Sequence, residues 1–406
     1  MTGRAKKAAG NRKRPGVSRS SGENKTPVRR AHSMDYSIVF LVVFLVGFGL
    51  VMIYSTSSYK GALYYGDGAY WLKRQAIFAL GGLVVMGFIA RSDYHFWNKK
   101  KWFLGAYYLV TVGLLSVTLI FAALSHGSKR WIQIGPIRFQ PSEVAKVSLI
   151  VMLAIYISKH VKELRQTKGV IKAFAIFCPI LLLVGVENLS TCVILTLITL
   201  VMLFVATPKF RPFLYLGAVG VGGFILLVWR EGYRMARIAT WLNPEDSENG
   251  MQTMQGLYAI GSGGLFGKGL GQSMQKMGFL PEPHNDMIFS IVCEELGLFG
   301  AIGVIILYFI LLWRFLRIAL NAADLYGSMI AIGAIAHVGF QVFVNIGVVT
   351  NTIPNTGVPL PFISYGGTSV AFLLVEMGLV LSVSRYTRLG SSAGGISGKT
   401  RTSDSR

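Results

Sequence analysis

Apolar runs long enough to cross a lipid bilayer recur along almost the whole chain, and no other feature constrains its fold as much. A spanning helix needs about 20 mostly apolar residues, because each residue rises about 1.5 Å and the hydrocarbon is about 30 Å thick. Ten such runs stand near residues 36–57, 74–90, 103–124, 143–158, 170–186, 189–206, 212–229, 287–312, 327–350 and 366–384. The fifth and sixth are separated only by the polar turn at Glu187 and Asn188. Only 14% of residues are charged and 52% are hydrophobic, against roughly 25% charged in a soluble domain. The expected fold is an all-α polytopic membrane protein with about ten transmembrane helices. A large extracytoplasmic loop, 230–286, separates the seventh from the eighth. Residues 1–34 and 389–406 are basic, poor in large apolar side chains, and expected to be disordered cytoplasmic tails around a membrane domain at 35–388.

Orientation follows from Lys and Arg in the short loops. With the N-terminal tail inside, the inner loops carry Arg91 with Lys99, Lys100 and Lys101, Lys159 with Lys162, Arg165 and Lys168, Lys209 with Arg211, and Arg314 with Arg317. The C-terminal tail, with Arg385 and Arg388, is inside too. The formal net charge of +22 is thereby assigned to topology and to anionic lipid rather than to nucleic acid. Two outer stretches break the bias: 127–140, with Lys129, Arg130 and Arg138, and the loop 230–286. Such cations either bind an anionic ligand or sit in a solvated loop. The three cysteines, Cys178, Cys192 and Cys293, form no CxxC pair, so neither a disulfide framework nor a metal site is supported.

Within the long loop, Tyr233, Arg234, Arg237, Ile238 and Trp241 fit an amphipathic helix of the interfacial kind, ended by Asn243-Pro244. The glycine-rich run 261–271 marks tight turning or close approach. It is not a phosphate-binding Walker loop, because Ser262 stands where that motif needs Gly and Gly269 where it needs Ser or Thr. An ATP-driven pump is therefore not supported.

Ionisable residues in or beside a span cost roughly 2.5–3.5 kcal/mol on insertion scales, so each is a functional candidate. They are Asp286, Glu294, Glu295, Glu143 with Lys146, and Glu376. Asp286 precedes the eighth span at its outer end and is either a catalytic carboxylate or a helix N-cap. His284 beside it has no second His or Cys at ligand spacing. Glu143 and Lys146, three apart after Pro141, share a helix face and neutralise each other. Of Glu294 and Glu295, one can face a polar cavity and the other a neighbouring helix.

Four stretches resemble the SEDS proteins, the FtsW/RodA/SpoVE group of cell-wall polymerases. They run from Gly127 through Arg130 and Trp131 to Glu143, from Ala259 to Gly264, from Leu280 through Asp286 to Ser290 with Glu294 to Gly297, and from Pro359 to Gly367. The resemblance covers roughly 35–388. It implies a peptidoglycan glycosyltransferase that polymerises lipid II, an undecaprenyl-pyrophosphate-linked disaccharide-pentapeptide, at the outer face of the bacterial cytoplasmic membrane. By position it makes Asp286 the catalytic carboxylate, Arg130 an important basic residue of the first outer loop, and Glu143 with Lys146 a sensitive charged pair. Lys129, Arg234, Arg237, His284 and Glu295 complete the expected substrate-binding set. One departure stands out: many members carry Pro-Asp-Leu-Gly where this chain has Asn188. A pyrophosphate leaves without a proton, so one base suffices for an inverting transfer, and cations must answer the leaving group's charge. No cofactor is required by these residues, although a divalent cation, Mg or Mn, could share that role. The resemblance further implies a class B penicillin-binding protein transpeptidase as partner, among other divisome or cell-wall proteins. The long basic N-terminal tail leans toward a division-type or spore-type member. A lipid II flippase and a non-catalytic scaffold are the competing readings.

Overall fold

Asp35 opens the first helix, its carboxylate accepting the Ser37 N–H (3.1 Å) and pairing with Arg314 (2.6 Å). The same pairing joins two helices far apart in sequence. The computed structural model describes residues 34–99, 101–124, 132–134, 137–230, 232–247 and 250–387. The N-terminal half comprises α1 (Tyr36–Tyr65), α2 (Tyr70–Arg91), the short α3 (Phe96–Lys99), α4 (Lys101–Leu124), α5 (Pro141–Lys159), the short α6 (Val161–Leu164), α7 (Thr167–Glu187) and α8 (Leu189–Ala206). Then come α9 (Arg211–Arg230), α10 (Gly232–Leu242), α11 (Met251–Gly263), α12 (Ile288–Asn321), α13 (Leu325–Val349) and α14 (Thr368–Ser384).

Among the described residues, eight helices are long and apolar enough to cross a membrane: α1, α2, α4, α5, α7, α8, α12 and α13. The helices α9 and α14 stand where the seventh and tenth runs are expected. The chain is an all-α polytopic membrane protein. Large apolar side chains such as Phe40, Phe88, Val219 and Phe309 face outward, as lipid rather than water requires. The polar turn after Glu187 separates α7 from α8, and Asn188 caps α8 by accepting the Ser190 and Thr191 N–H groups.

The core runs along α5, buried over nearly its whole length and packed by α4, α8, α13 and α14. Glu143 and Lys146 are therefore buried together, 2.8 Å apart. Glu376 meets His337 the same way at 2.6 Å, inside the bundle.

Three features depart from the hydropathy reading. The first helix continues eight residues past the apolar run, to Tyr65, and Ser55 near the end of that run is buried against Glu295. The stretch 127–140 contains an antiparallel hairpin, β1 (Ile132–Ile134) with β2 (Ile137–Phe139). The glycine-rich run begins as helix: α11 packs on α12, where a Cβ at Gly263 would lie 2.0 Å from the Cys293 carbonyl oxygen. Beyond it, α12 breaks at Gly297 (φ 66°), and the loop mends the break. Lys268 and Gly269 N–H groups reach the Glu294 and Glu295 carbonyls, while Leu298 and Phe299 N–H groups reach Gly264 and Leu265. The glycines are needed for this close approach. The amphipathic helix expected around Arg237 is α10, and it ends at Leu242 just before Asn243-Pro244.

His95 lies between Asp93 (2.6 Å) and Asp324 (2.7 Å), bridging the loop after α2 to the cap of α13. The Asp324 hydrogen bond raises the His95 pKa above 6.5, burial opposes, and Asp93 adds to the rise. A group with a raised folded pKa stabilises fully below its unfolded value and loses that contribution as pH rises through the folded value. The melting temperature gap between wild type and His95→Gln should therefore be widest near pH ~6 and shrink toward pH ~8.5. A gap that grows with pH would contradict the bridge.

Candidate active site

The bundle encloses a cavity of about 790 Å³ whose wall includes Asp286, His284, Glu143, Lys146, Asn188, Arg74 and Trp71. Two loops build its upper section. The segment 280–287 leads into α12, and the segment 350–367 joins α13 to α14. Asn345 of α13 ties them together, donating to the carbonyls of Asp286 (2.7 Å) and Val358 (2.8 Å). Tyr365 N–H donates to the His284 carbonyl (2.9 Å). Gln75 of α2 then holds the second loop, accepting from Gly366 and Gly367 N–H and donating to the Ser364 carbonyl.

Asp286 is not a helix cap: Met287 holds that position and α12 starts at Ile288. Gly357, with φ 65°, passes so close that a Cβ there would lie 3.7 Å from the Asp286 carboxylate. Burial pushes the Asp286 pKa up to about 6 and Glu282 adds to this, while Arg237 and the backbone N–H groups of Asp286 and Met287 pull it down. A carboxylate so placed is ionised at neutral pH yet more basic than usual, which suits a general base. Burial takes His284 down to about 4, aided by Lys60, so its imidazole is neutral. It packs between Trp71 (5.0 Å) and Tyr365 (5.6 Å).

The expected residues divide sharply. Asp286, His284, Glu143 and Lys146 share the cavity. Arg237 is not among its described lining residues; its guanidinium donates to the Asn355 carbonyl (3.1 Å) and acts on Asp286 through charge. Arg234 precedes it by one turn on α10. Lys129 and Arg130 lie outside the described residues. Glu295 must be reassigned: it is fully buried away from the cavity, accepting from Ser55 (2.7 Å) and Lys276 (2.8 Å). Its neighbour Glu294 pairs with Lys268 (2.7 Å), and neither glutamate is among the described residues lining the cavity. Among the described residues no group of three or more His, Cys, Asp or Glu is placed to share a metal ion, so they build no divalent-cation cage.

Sequence reasoning passed over Arg74 and the aromatic wall of Tyr65, Tyr70, Trp71 and Phe78. A signal was present: Lys73 and Arg74 are cations at the start of an apolar run, opposite the Arg91 end that the Lys and Arg bias assigns to the inside.

Residues 36–389 match the model of the FTSW_RODA_SPOVE family, described as "Cell cycle protein". Stage V sporulation protein E of Bacillus subtilis (strain 168) is 41% identical over 363 residues, covering 88% of this chain and 98% of that protein. A probable peptidoglycan glycosyltransferase FtsW of Geobacter sp. (strain M18) is 37% identical over 375 residues, covering 89% and 99%. Among solved structures, a chain from the structural coordination of polymerization and crosslinking by a peptidoglycan synthase complex superposes with a TM-score of 0.66. It is 26% identical, with 88% of this chain and 99% of that one covered. The Rod shape determining protein RodA of Thermus thermophilus gives a TM-score of 0.59 at 25% identity, covering 88% and 98%.

Proposed function

The chain belongs to the FtsW/RodA/SpoVE family of cell cycle proteins, and from that premise we propose that it is a peptidoglycan glycosyltransferase polymerising lipid II. The observation that carries the reading is the outer cavity in which one carboxylate of raised pKa, Asp286, shares a wall with cations and aromatic rings. A sugar hydroxyl of the acceptor gives its proton to Asp286 as its oxygen bonds to the donor's anomeric carbon. The bond from that carbon to the pyrophosphate oxygen breaks, and undecaprenyl pyrophosphate leaves as an anion. The leaving group needs no proton, so the second carboxylate of a glycosidase has no task here. Lys146, held by Glu143, lends positive charge from the cavity wall. A bound Mg or Mn would supply further positive charge toward the pyrophosphate; among the described residues no group of three His, Cys, Asp or Glu is placed to hold it. Purified protein given lipid II separates the alternatives: glycan polymer supports the reading. Translocated lipid without polymer, or neither product, overturns it.

The proposal includes the bacterial cytoplasmic membrane, both termini inside, and a role in septal or spore wall synthesis. A class B penicillin-binding protein is the proposed partner, in keeping with the synthase complex among the solved neighbours. The topology has a direct test in a chain whose three cysteines are replaced. Both positions used are exposed, Lys162 after α5 and Asp246 after α10. In intact cells an impermeant thiol reagent should label Asp246→Cys and leave Lys162→Cys unlabelled; the opposite pattern inverts the topology.

A further inference from the structure

We propose that one buried water joins His337 to Glu143, and that the His337–Glu376 pair thereby positions the Lys146 charge. The bridge is read from the bundle itself; its effect on turnover rests on the glycosyltransferase reading.

An ionisable side chain inside a membrane bundle is costly, so it is paired, used, or both. His337 of α13 and Glu376 of α14 are almost completely buried, at 2% and 1% exposure. Their contact occupies one atom of each, Nδ1 of the imidazole and Oε2 of the carboxylate, 2.6 Å apart. A carboxylate beside Nδ1 keeps the imidazole proton on that nitrogen, which leaves Nε2 as an acceptor. Nε2 is buried and has no partner among the described residues. An acceptor in that state calls for a donor.

A chamber of about 20 Å³ lies against His337, room for a single water. Its wall includes Gln341, one turn along α13 from His337, together with Glu143 and Ser369. Those three residues also line the large cavity that holds Asp286. The chamber therefore stands between the buried pair and the candidate active site.

The donors and acceptors balance around one water. It gives one hydrogen to His337 Nε2 and the other to the Glu143 carboxylate, and its oxygen accepts from the Gln341 amide. Three hydrogen bonds are the usual complement of a buried water. The Gln341 amide has capacity to spare, since its contact with the Pro359 carbonyl is 3.5 Å long, beyond a good N–H···O distance. Glu143 holds Lys146 through Oε2 at 2.8 Å, so Oε1 can take the water. A carboxylate gripped at both oxygens cannot turn, and the Lys146 ammonium is then held in one place beside the reacting groups.

The first test needs no variant. A structure of the wild-type protein that shows ordered water should place one within about 3.2 Å of both His337 Nε2 and the Glu143 carboxylate. An empty chamber, or a water that reaches His337 alone, overturns the bridge. The second test is kinetic. The double variant His337→Leu/Glu376→Leu removes the pair without stranding a charge. It should lower kcat for lipid II polymerisation about tenfold and leave KM unchanged. His337→Gln keeps a polar atom for Glu376 or the water and should restore most of that kcat. A double variant with wild-type kcat, or a His337→Gln protein that falls as far as the double, overturns the positioning role. If the double variant does not fold, Gln341→Leu, which removes only a donor to the water, replaces it with the same expected loss and the same overturning result. The two readings fail separately. Wild-type protein that holds the water but makes no glycan ends the polymerase reading and leaves the bridge in place.

Discussion

Asp286→Asn should express, fold and melt like wild type while losing lipid II polymerisation by at least about 10²-fold, the usual worth of a general base. The substitution keeps the shape of the side chain and removes only its proton acceptor. The contacts that hold this segment do not use the carboxylate: the carbonyl that Asn345 grips belongs to the backbone, and α12 is capped elsewhere. Relief of a buried charge beside Glu282 could even raise the melting temperature slightly. The pH profile supplies a second readout. With the free carboxylate near pH 6, kcat/KM should fall as pH drops through about 6, since protonated Asp286 cannot accept the proton. Asp286→Asn protein that makes long glycan at near wild-type rate would end the catalytic assignment.

Lys276→Met should give the largest loss of stability outside the cavity, about 3–5 kcal/mol, because it strands a buried carboxylate. Glu295 is fully buried and Lys276 nearly so, and both meet Ser55 of α1. The trio joins three segments that are remote in sequence: α1, the loop after α11, and the stretch of α12 next to its break at Gly297. Removing the ammonium leaves the Glu295 charge facing a methionine. The double substitution Lys276→Met/Glu295→Met should recover most of the loss, since a buried pair replaced by apolar groups is often neutral. Melting in mild detergent checks both. A single variant as stable as wild type would show that Glu295 is solvated or protonated and that the trio does not hold the bundle.

The spans, the amphipathic α10 and the polar turn at Asn188 were legible because hydropathy and capping are local: each is decided within about twenty residues. Asp286 was legible as a candidate by its place at a helix start, yet by position alone it was as good a cap as a base. Glu295 shows the limit from the other side. An acid two turns into a span looks functional, and only Ser55 and Lys276, neither near it in sequence, make it structural. Arg74 is the converse, absorbed into an apolar run by a hydropathy window and turned into the cavity by the rotation of α2. So the sequence by itself determined that the chain spans a membrane, where its helices lie, and which charges must be accounted for. Tertiary structure alone decided which of those charges face the cavity and which seal the bundle. The physical reason is that a charge in an apolar medium is stabilised by whichever partner reaches it, and reach is set by packing between segments far apart in the chain.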